Sequence, residues 1–192
     1  MGTFLEFHKR LHETPKLHDE ELPYGDLTTI SVKGLDRSHE LFGILPNDIR
    51  VYKKLDSIGF VAGRVDDNEF QIFLRINCRK VAYPVVPKLI GEYLQVSMVL
   101  IDGRFAEEGI TKAVYELIAS RIALVSDHEQ YLGAKGLWKS LARSSRIAVT
   151  IFDGNNGTYT PYNSTNINDK KIWGDTIGHT AILLIAHKGD LK

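Results

Sequence analysis

Apolar residues recur along this chain with two different periods, and the change of period divides it. The runs "IRVYKKL" (49–55), "SIGFVAGRV" (57–65) and "EFQIFLRIN" (69–77) are rich in β-branched and aromatic residues and predict strands. Asp66, Asp67 and Asn68 separate the last two, a short polar turn that predicts a hairpin. Upstream, "LTTISVKG" (27–34) predicts a first strand. It follows a polar stretch, 1–26, that carries Pro15 and Pro23 and reads as an arm or short helix. Pro84 and Pro87 mark 78–90 as an irregular connection.

Beyond residue 90 strands alternate with helices. "YLQVSMVLID" (93–102) predicts a strand, and Ile110, Ala113, Val114, Leu117 and Ile118 then fall at i, i+3, i+4, i+7 and i+8 on one helix face. "RIALVS" (121–126) is the next strand, Ala134, Leu137, Trp138, Leu141 and Ala142 repeat the helical spacing, and "RIAVTIFD" (146–153) is a third strand. A long polar loop, 154–179, leads to the closing strand "TAILLIAHK" (180–188), with Trp173 as the loop's expected anchor on the body. Strand, helix, strand, helix, strand with short connections implies right-handed crossovers and parallel strands. The expected fold is α/β: a mixed central sheet, an antiparallel N-terminal meander followed by β-α-β-α-β, with flanking helices, in a single domain over 27–192.

Composition narrows the partners. The 192 residues are 43% hydrophobic and 25% charged, ordinary for one globular core. Lys and Arg together number 24, as do Asp and Glu, so no global basic field argues for nonspecific nucleic-acid binding. Cys78 is the only cysteine, which excludes an internal disulfide and a cysteine metal cluster and fits a reducing cytoplasm. The N-terminal "MGTFLEFHKRLHETPK" lacks the apolar core of a secretory signal, and Glu6 stands where a myristoylation signal wants Ser or Thr. No apolar run approaches the roughly 20 residues that span a bilayer. The expectation is a cytoplasmic protein without membrane attachment.

The order of elements from about 57 to 187 resembles the GNAT acetyltransferase superfamily. "IDGRFAEEGITKAVYELI" is similar to that family's segment in which a strand ends and runs into R-G-x-G-[IV]-[GA], with Ile101, Gly103, Phe105, Gly109, Ile110 and Thr111 in successive positions. Ala134 followed by Trp138 resembles its A-x-x-x-Y helix, and "SD-x-x-Q…GA-x-x-LW-x-SLA" resembles small GNAT-like proteins encoded by bacteriophages. The resemblance implies acetyl-coenzyme A as cofactor. The backbone of the 96–101 strand, Val99 and Ile101 included, would hold the pantetheine. The helix start at Gly109, Ile110, Thr111 and Lys112 would take the pyrophosphate, because the first N–H groups of a helix have no partner and its dipole favours anions. Four positions depart from the family pattern: Ala106, Glu107 and Thr111 replace the opening Arg or Gln, the Gly after it and the final Gly or Ala, and Trp138 stands where the general acid, a Tyr, is expected. An indole N–H is no usable proton source near neutral pH. Tyr131, about one turn before Ala134, is the substitute acid, with Tyr115 the other candidate.

Ser126, Asp127 and His128 admit two readings, acid–base or nucleophilic chemistry at a strand end, or capping of the loop before the next helix. Consecutive residues point alternately, so they form no triad among themselves. Glu107 and Glu108 read as a general base or as first-turn carboxylates complementing the helix dipole. His8, His12 and His18 lack a fixed third ligand and read as part of a solvated arm, so no metal site is assigned. Arg75, Arg79, Lys80 and Tyr83 read as a basic strand edge, and His179 and His187 as ordinary residues flanking the last strand.

Two functions follow from the resemblance. One is an acetyl-coenzyme A-dependent N-acyltransferase acting on an amine of a protein or small molecule. The other is a catalytically inactive GNAT-shaped protein that grips a partner, a host factor or virion component under the phage likeness. The oligomeric state stays open, a homodimer included.

Overall fold

A computed structural model describes residues 17–18, 29–31, 35–36, 45, 49–54, 58–66, 69–81, 93–105, 109–126, 130–154, 156–162, 172–173 and 182–189, with the backbone alone at 17–18, 29–31, 35–36, 66 and 130–133. Its strands are β1 (Leu17–His18), β2 (Thr29–Ser31), β3 (Leu35–Asp36), β4 (Ile49–Lys54), β5 (Gly59–Asp66), β6 (Glu69–Lys80), β7 (Tyr93–Ile101), β8 (Ala123–Val125), β9 (Gln130–Tyr131), β10 (Ile147–Asp153), β11 (Thr158–Pro161) and β12 (Ile182–Lys188). The helices are α1 (Ile110–Ala119) and α2 (Leu132–Ala142), with a 3-10 turn at Gly103–Phe105.

The chain is α/β with a mixed sheet, as the pattern predicts. The main sheet runs β11-β10-β12-β8-β7-β6-β5-β4-β3, with β2 paired to β6 beyond the end of β7. From β3 to β7 every neighbour is antiparallel. β7 and β8 are parallel, and β12 inserts antiparallel between β8 and β10. The expected parallel run of three strands is therefore interrupted: β10 is separated from β8 by the last strand.

Alternation along the strands divides the side chains between two faces. Leu74, Ile76 and Cys78 of β6, Leu94 and Val96 of β7, and Leu184 and Ala186 of β12 join Val114, Ile118, Trp138 and Leu141 of the helices in the main core. The opposite face carries two smaller buried clusters, Tyr52, Val61, Phe70 and Ile72 at one end and Tyr93, Val125, Phe152, Leu183 and Ile185 at the other. The β5–β6 pair holds a bulge that leaves Phe73 without an opposite residue. Gly63 makes the close approach there possible, since a Cβ would lie 2.1 Å from the Gln71 carbonyl oxygen.

Three sequence expectations change and one holds. The polar loop 154–179 contains a strand, β11, hairpinned onto β10 through a turn in which Gly157 has φ 62°. Trp173 in the same stretch is buried in the main core, as expected of an anchor. Arg75 does not lie on a sheet edge, because it pairs with Val61 of β5 and Leu100 of β7, whereas Arg79 and Lys80, past the end of the β5 pairing, are exposed and pair with β7. His187 lies within β12 rather than beside it.

Candidate functional site

Among the described residues the main sheet has one parallel pairing, between β7 and β8. β7 and β8 pair in register over three positions, Tyr93↔Ala123, Leu94↔Leu124 and Gln95↔Val125. Past this point, among the described residues, 96–101 of β7 have no ladder partner on the side of β8. Just past these positions β7 carries a bulge: Asn77 faces Met98 and Cys78 faces Val96, so Ser97 is an extra residue in the strand. A bulge bends its strand and raises the local twist, and this one lies just past the three positions at which β7 pairs with β8. Ser97 Oγ donates to the Asn77 carbonyl at 3.2 Å.

Side chains replace the ladder at the parting point. Gln95 is buried, and its Nε2 donates to the Ser126 carbonyl at 3.0 Å while Arg79 Nε donates to its Oε1 at 2.6 Å. Ser126 is 2% exposed; its N–H donates to the Leu184 carbonyl at 2.8 Å, and its Oγ accepts from Leu184 N–H at 3.0 Å. Ser126 thus clasps β8 to β12 with backbone and hydroxyl together.

At the far end of β7 the chain turns toward α1. Asp102 N–H donates to the Phe73 carbonyl at 2.9 Å, and Asp102 takes Arg104 in a fork whose shortest contact is 2.6 Å. These bonds to Arg104 hold the Asp102 carboxyl below its ordinary value. The Phe105 ring packs against Phe73 at 4.7 Å between centroids. Gly109 precedes α1 with φ 70° and gives it no side-chain cap; a side chain there would force a left-handed backbone on an ordinary residue. Gly109 therefore offers the first N–H groups of α1 no side-chain acceptor. Lys112 Nζ lies 3.7 Å from Glu116 Oε1, and Arg146 Nη1 3.3 Å from Glu116 Oε2, so the Lys112 charge leans along its own helix.

Comparison with protein-family models, curated proteins and solved structures finds no match to this chain. Geometry alone therefore weighs the residues singled out by sequence. Val99 is half-buried and Ile101 buried, both on the unladdered length of β7. Gly109, Ile110, Thr111 and Lys112 gather at the α1 start, with the Ile110 side chain turned into the core. Asp127 lies outside the described residues, as do His128, Ala106, Glu107, Glu108 and Tyr83. Tyr131 is placed by its backbone only: it pairs with His18 across β9 and β1, immediately before α2. Trp138 is buried edge-on to Tyr115, with centroids 6.1 Å apart, so both rings are core.

Sequence reading missed two polar groups and took a third, His187, as ordinary. Gln95 sits in a strand where its partners are 16 and 31 residues distant. Glu116 is buried under Arg146, 30 residues away. His187 is 1% exposed, with Nδ1 2.9 Å from the Lys188 carbonyl and Nε2 2.9 Å from Thr150 Oγ1. A carbonyl only accepts, so Nδ1 carries the proton and the Thr150 hydroxyl donates to Nε2. Burial lowers the His187 pKa, against the smaller opposite effect of the Lys188 bond. Burial likewise pushes the Cys78 thiol up to about 12, which leaves it inert as a nucleophile. Among the described residues no cluster of His, Cys, Asp or Glu can hold a metal, and no helix is long and apolar enough to cross a membrane.

Proposed function

We propose that the chain is an acyltransferase of GNAT type, using acetyl-coenzyme A and an amine acceptor. The observation that carries this reading is the short parallel pairing of β7 with β8, three positions long among the described residues and adjoining the bulge at Ser97. The insertion of β12 between β8 and β10 agrees with it, since it closes the sheet beyond the gap rather than across it. The donor supplies an activated acyl group: its C–S bond breaks as the acceptor nitrogen bonds the acyl carbon, the sulfur keeps the electron pair, and the amine proton ends on the thiol.

The chain's own part is to bind and orient. Backbone groups of 96–101, unladdered on one side, hydrogen-bond an extended amide-bearing arm as a neighbouring strand would. The N–H groups at the α1 start, with Gly109 uncapped, hold an anion. Lys112, engaged with Glu116, adds little charge there. Catalysis then rests on positioning and on polarisation by backbone donors. Acetyl-coenzyme A is expected to raise the melting temperature and to give a calorimetric signal in about the micromolar range. An absence of binding at millimolar ligand overturns the reading.

One observation favours a second reading, a GNAT-shaped binding protein without the reaction. Trp138, which the resemblance sets against the family's general acid, is packed in the core against Tyr115. Recovery of a stoichiometric partner, with acetyl-coenzyme A bound but no transfer to any amine, distinguishes this reading.

A further inference from the structure

The turn that joins β10 to β11 carries the one Asn-Gly pair in the chain, Asn156-Gly157. Asp153 and Thr158 are the last paired residues of this hairpin, so 154–157 form its connection. Asn156, Gly157 and Thr158 are all exposed. Gly157 has φ 62°, and a Cβ added to it would meet nothing within 4 Å, so the turn stands out into solvent. Among the described residues no backbone carbonyl accepts the Gly157 N–H. Beside it, Asn156 Nδ2 donates to Asp153 Oδ2 at 3.0 Å, and Asp153 is buried at the end of β10.

These features set a nucleophile next to an electrophile. A backbone nitrogen that loses its proton attacks the side-chain carbonyl carbon of a preceding Asn and closes a succinimide ring. A Cβ on the attacking residue crowds that approach; glycine has none, and it lets the backbone reach the cramped conformers that the ring needs. A ladder would lock both the N–H and the backbone, whereas an exposed loop tip of small polar residues leaves them free to move. The two Asp-Gly pairs lack these advantages, since they close the same ring only from the protonated carboxyl, with loss of water. Asp102, before Gly103, is held below its ordinary value by its bonds to Arg104. Asp153, before Gly154, is buried.

We propose that Asn156 is a site of spontaneous deamidation and that the product loosens the β10–β11 hairpin. The Gly157 nitrogen gives its proton to water and bonds Asn156 Cγ. The Cγ–Nδ2 bond breaks, and Nδ2 takes up a proton and leaves as ammonia. Water then opens the ring: cleavage of the new N–Cγ bond yields aspartate, and cleavage of the bond between the Gly157 nitrogen and the Asn156 backbone carbonyl carbon yields isoaspartate. One water is consumed, one ammonia is released, and nothing is oxidised. Either product puts a carboxylate where Asn156 had donated to Asp153, so an attraction becomes a like-charge contact beside a buried group. Isoaspartate also adds a carbon to the backbone of the connection, against a register fixed at Asp153↔Thr158. β11 lies beyond β10 and β12 from β8, so this site stands apart from the acyl-transfer reading.

The test ages the full native chain at mildly alkaline pH and maps the tryptic peptide 147–170 by mass spectrometry. Conversion at Asn156 is expected to outpace that at every other Asn by about tenfold or more, and to quicken as pH rises and the attacking nitrogen loses its proton more readily. Gly157→Ala should slow it by about tenfold or more. Because Ala strains a turn at positive φ, Gly157→Asn is the second variant: Asn accepts that backbone while adding the Cβ, and the same slowing at Asn156 is expected. The aged acidic fraction, separated by ion exchange, and Asn156→Asp should both melt below the fresh parent. Faster conversion at another Asn, conversion confined to the urea-unfolded chain, or equal rates in the parent and both Gly157 variants overturns the site. An unchanged melting temperature of the converted fraction overturns the loosening.

Discussion

Two seams of the sheet behave oppositely. Where β12 meets β10 the strands are antiparallel and paired over seven positions, from Ile147↔Lys188 to Asp153↔Ile182. Where β7 meets β8 they are parallel and paired over three. The first seam has buried side chains on both faces, and its polar groups, Thr150 and His187, answer each other. The second ends in a side-chain bond from Gln95 to the Ser126 carbonyl, while Ser126 itself is clasped to Leu184 of β12. A continuous ladder needs no help from side chains. A seam that is to stay open needs a bulge to start it and a clasp to stop it spreading.

The largest effect is expected on the closed seam. Ile185 is fully buried, and Ile185→Ala should cost about 2–5 kcal/mol in denaturant unfolding without altering ligand binding. Loss of acetyl-coenzyme A binding in that variant, beyond what unfolding explains, would break the division between the seams. Ser126→Ala comes next. It leaves the buried Leu184 N–H without its acceptor, a loss of about 1–3 kcal/mol. A loss near zero would mean that the clasp is dispensable.

Deleting Ser97 addresses the open seam directly. Every other residue of β7 keeps its face and its partner on β6, because Ser97 is the one residue there without an opposite number. The variant should fold, and its affinity for acetyl-coenzyme A should fall by about tenfold or more as the strand straightens toward β8. Unchanged affinity in a folded deletion variant would detach the bulge from the proposed function.

Much of this architecture is legible in the chain, and the bulge is legible in hindsight. Leu94 and Val96 are two apart, Val99 and Ile101 are two apart, but Val96 and Val99 are three apart, so the inward set slips by one residue at the bulge. α1 appears where its five apolar positions predict, with Ala113 the least buried of them. The position of β12 between β8 and β10 is invisible locally, since pairing partners are set by packing across the whole sheet and not by the strand's own pattern. β11 is hidden for a different reason: Thr158, Thr160 and Pro161 are exposed, so an edge strand held by its backbone and by the Tyr159–Phe152 stack reads as polar loop. The clasp is hidden too. Ser126 at a strand end matches a cap or a nucleophile equally well until Leu184, 58 residues on, is seen beside it.

The smallest effect is expected from pH, and it belongs to the closed seam. His187 is neutral, with the Nδ1 proton on the Lys188 carbonyl and Nε2 accepting from Thr150. Protonating Nε2 would set an N–H against the hydroxyl and place a charge in a buried site, and burial is the larger cause of its lowered pKa. The unfolded chain titrates near the ordinary value of 6.5 and takes up its proton first as pH falls. The unfolded state then binds more protons than the folded one, so stability is complete above about 6.5 and declines as pH drops below it, levelling off once the folded His187 is also protonated. His187→Gln removes the titrating group and should flatten that part of the stability profile between about pH 7.5 and 5. A variant whose stability still declines there as steeply as the parent's would move the pH sensitivity away from this seam and erase the contrast drawn between a ladder that satisfies its own polar groups and one that borrows them.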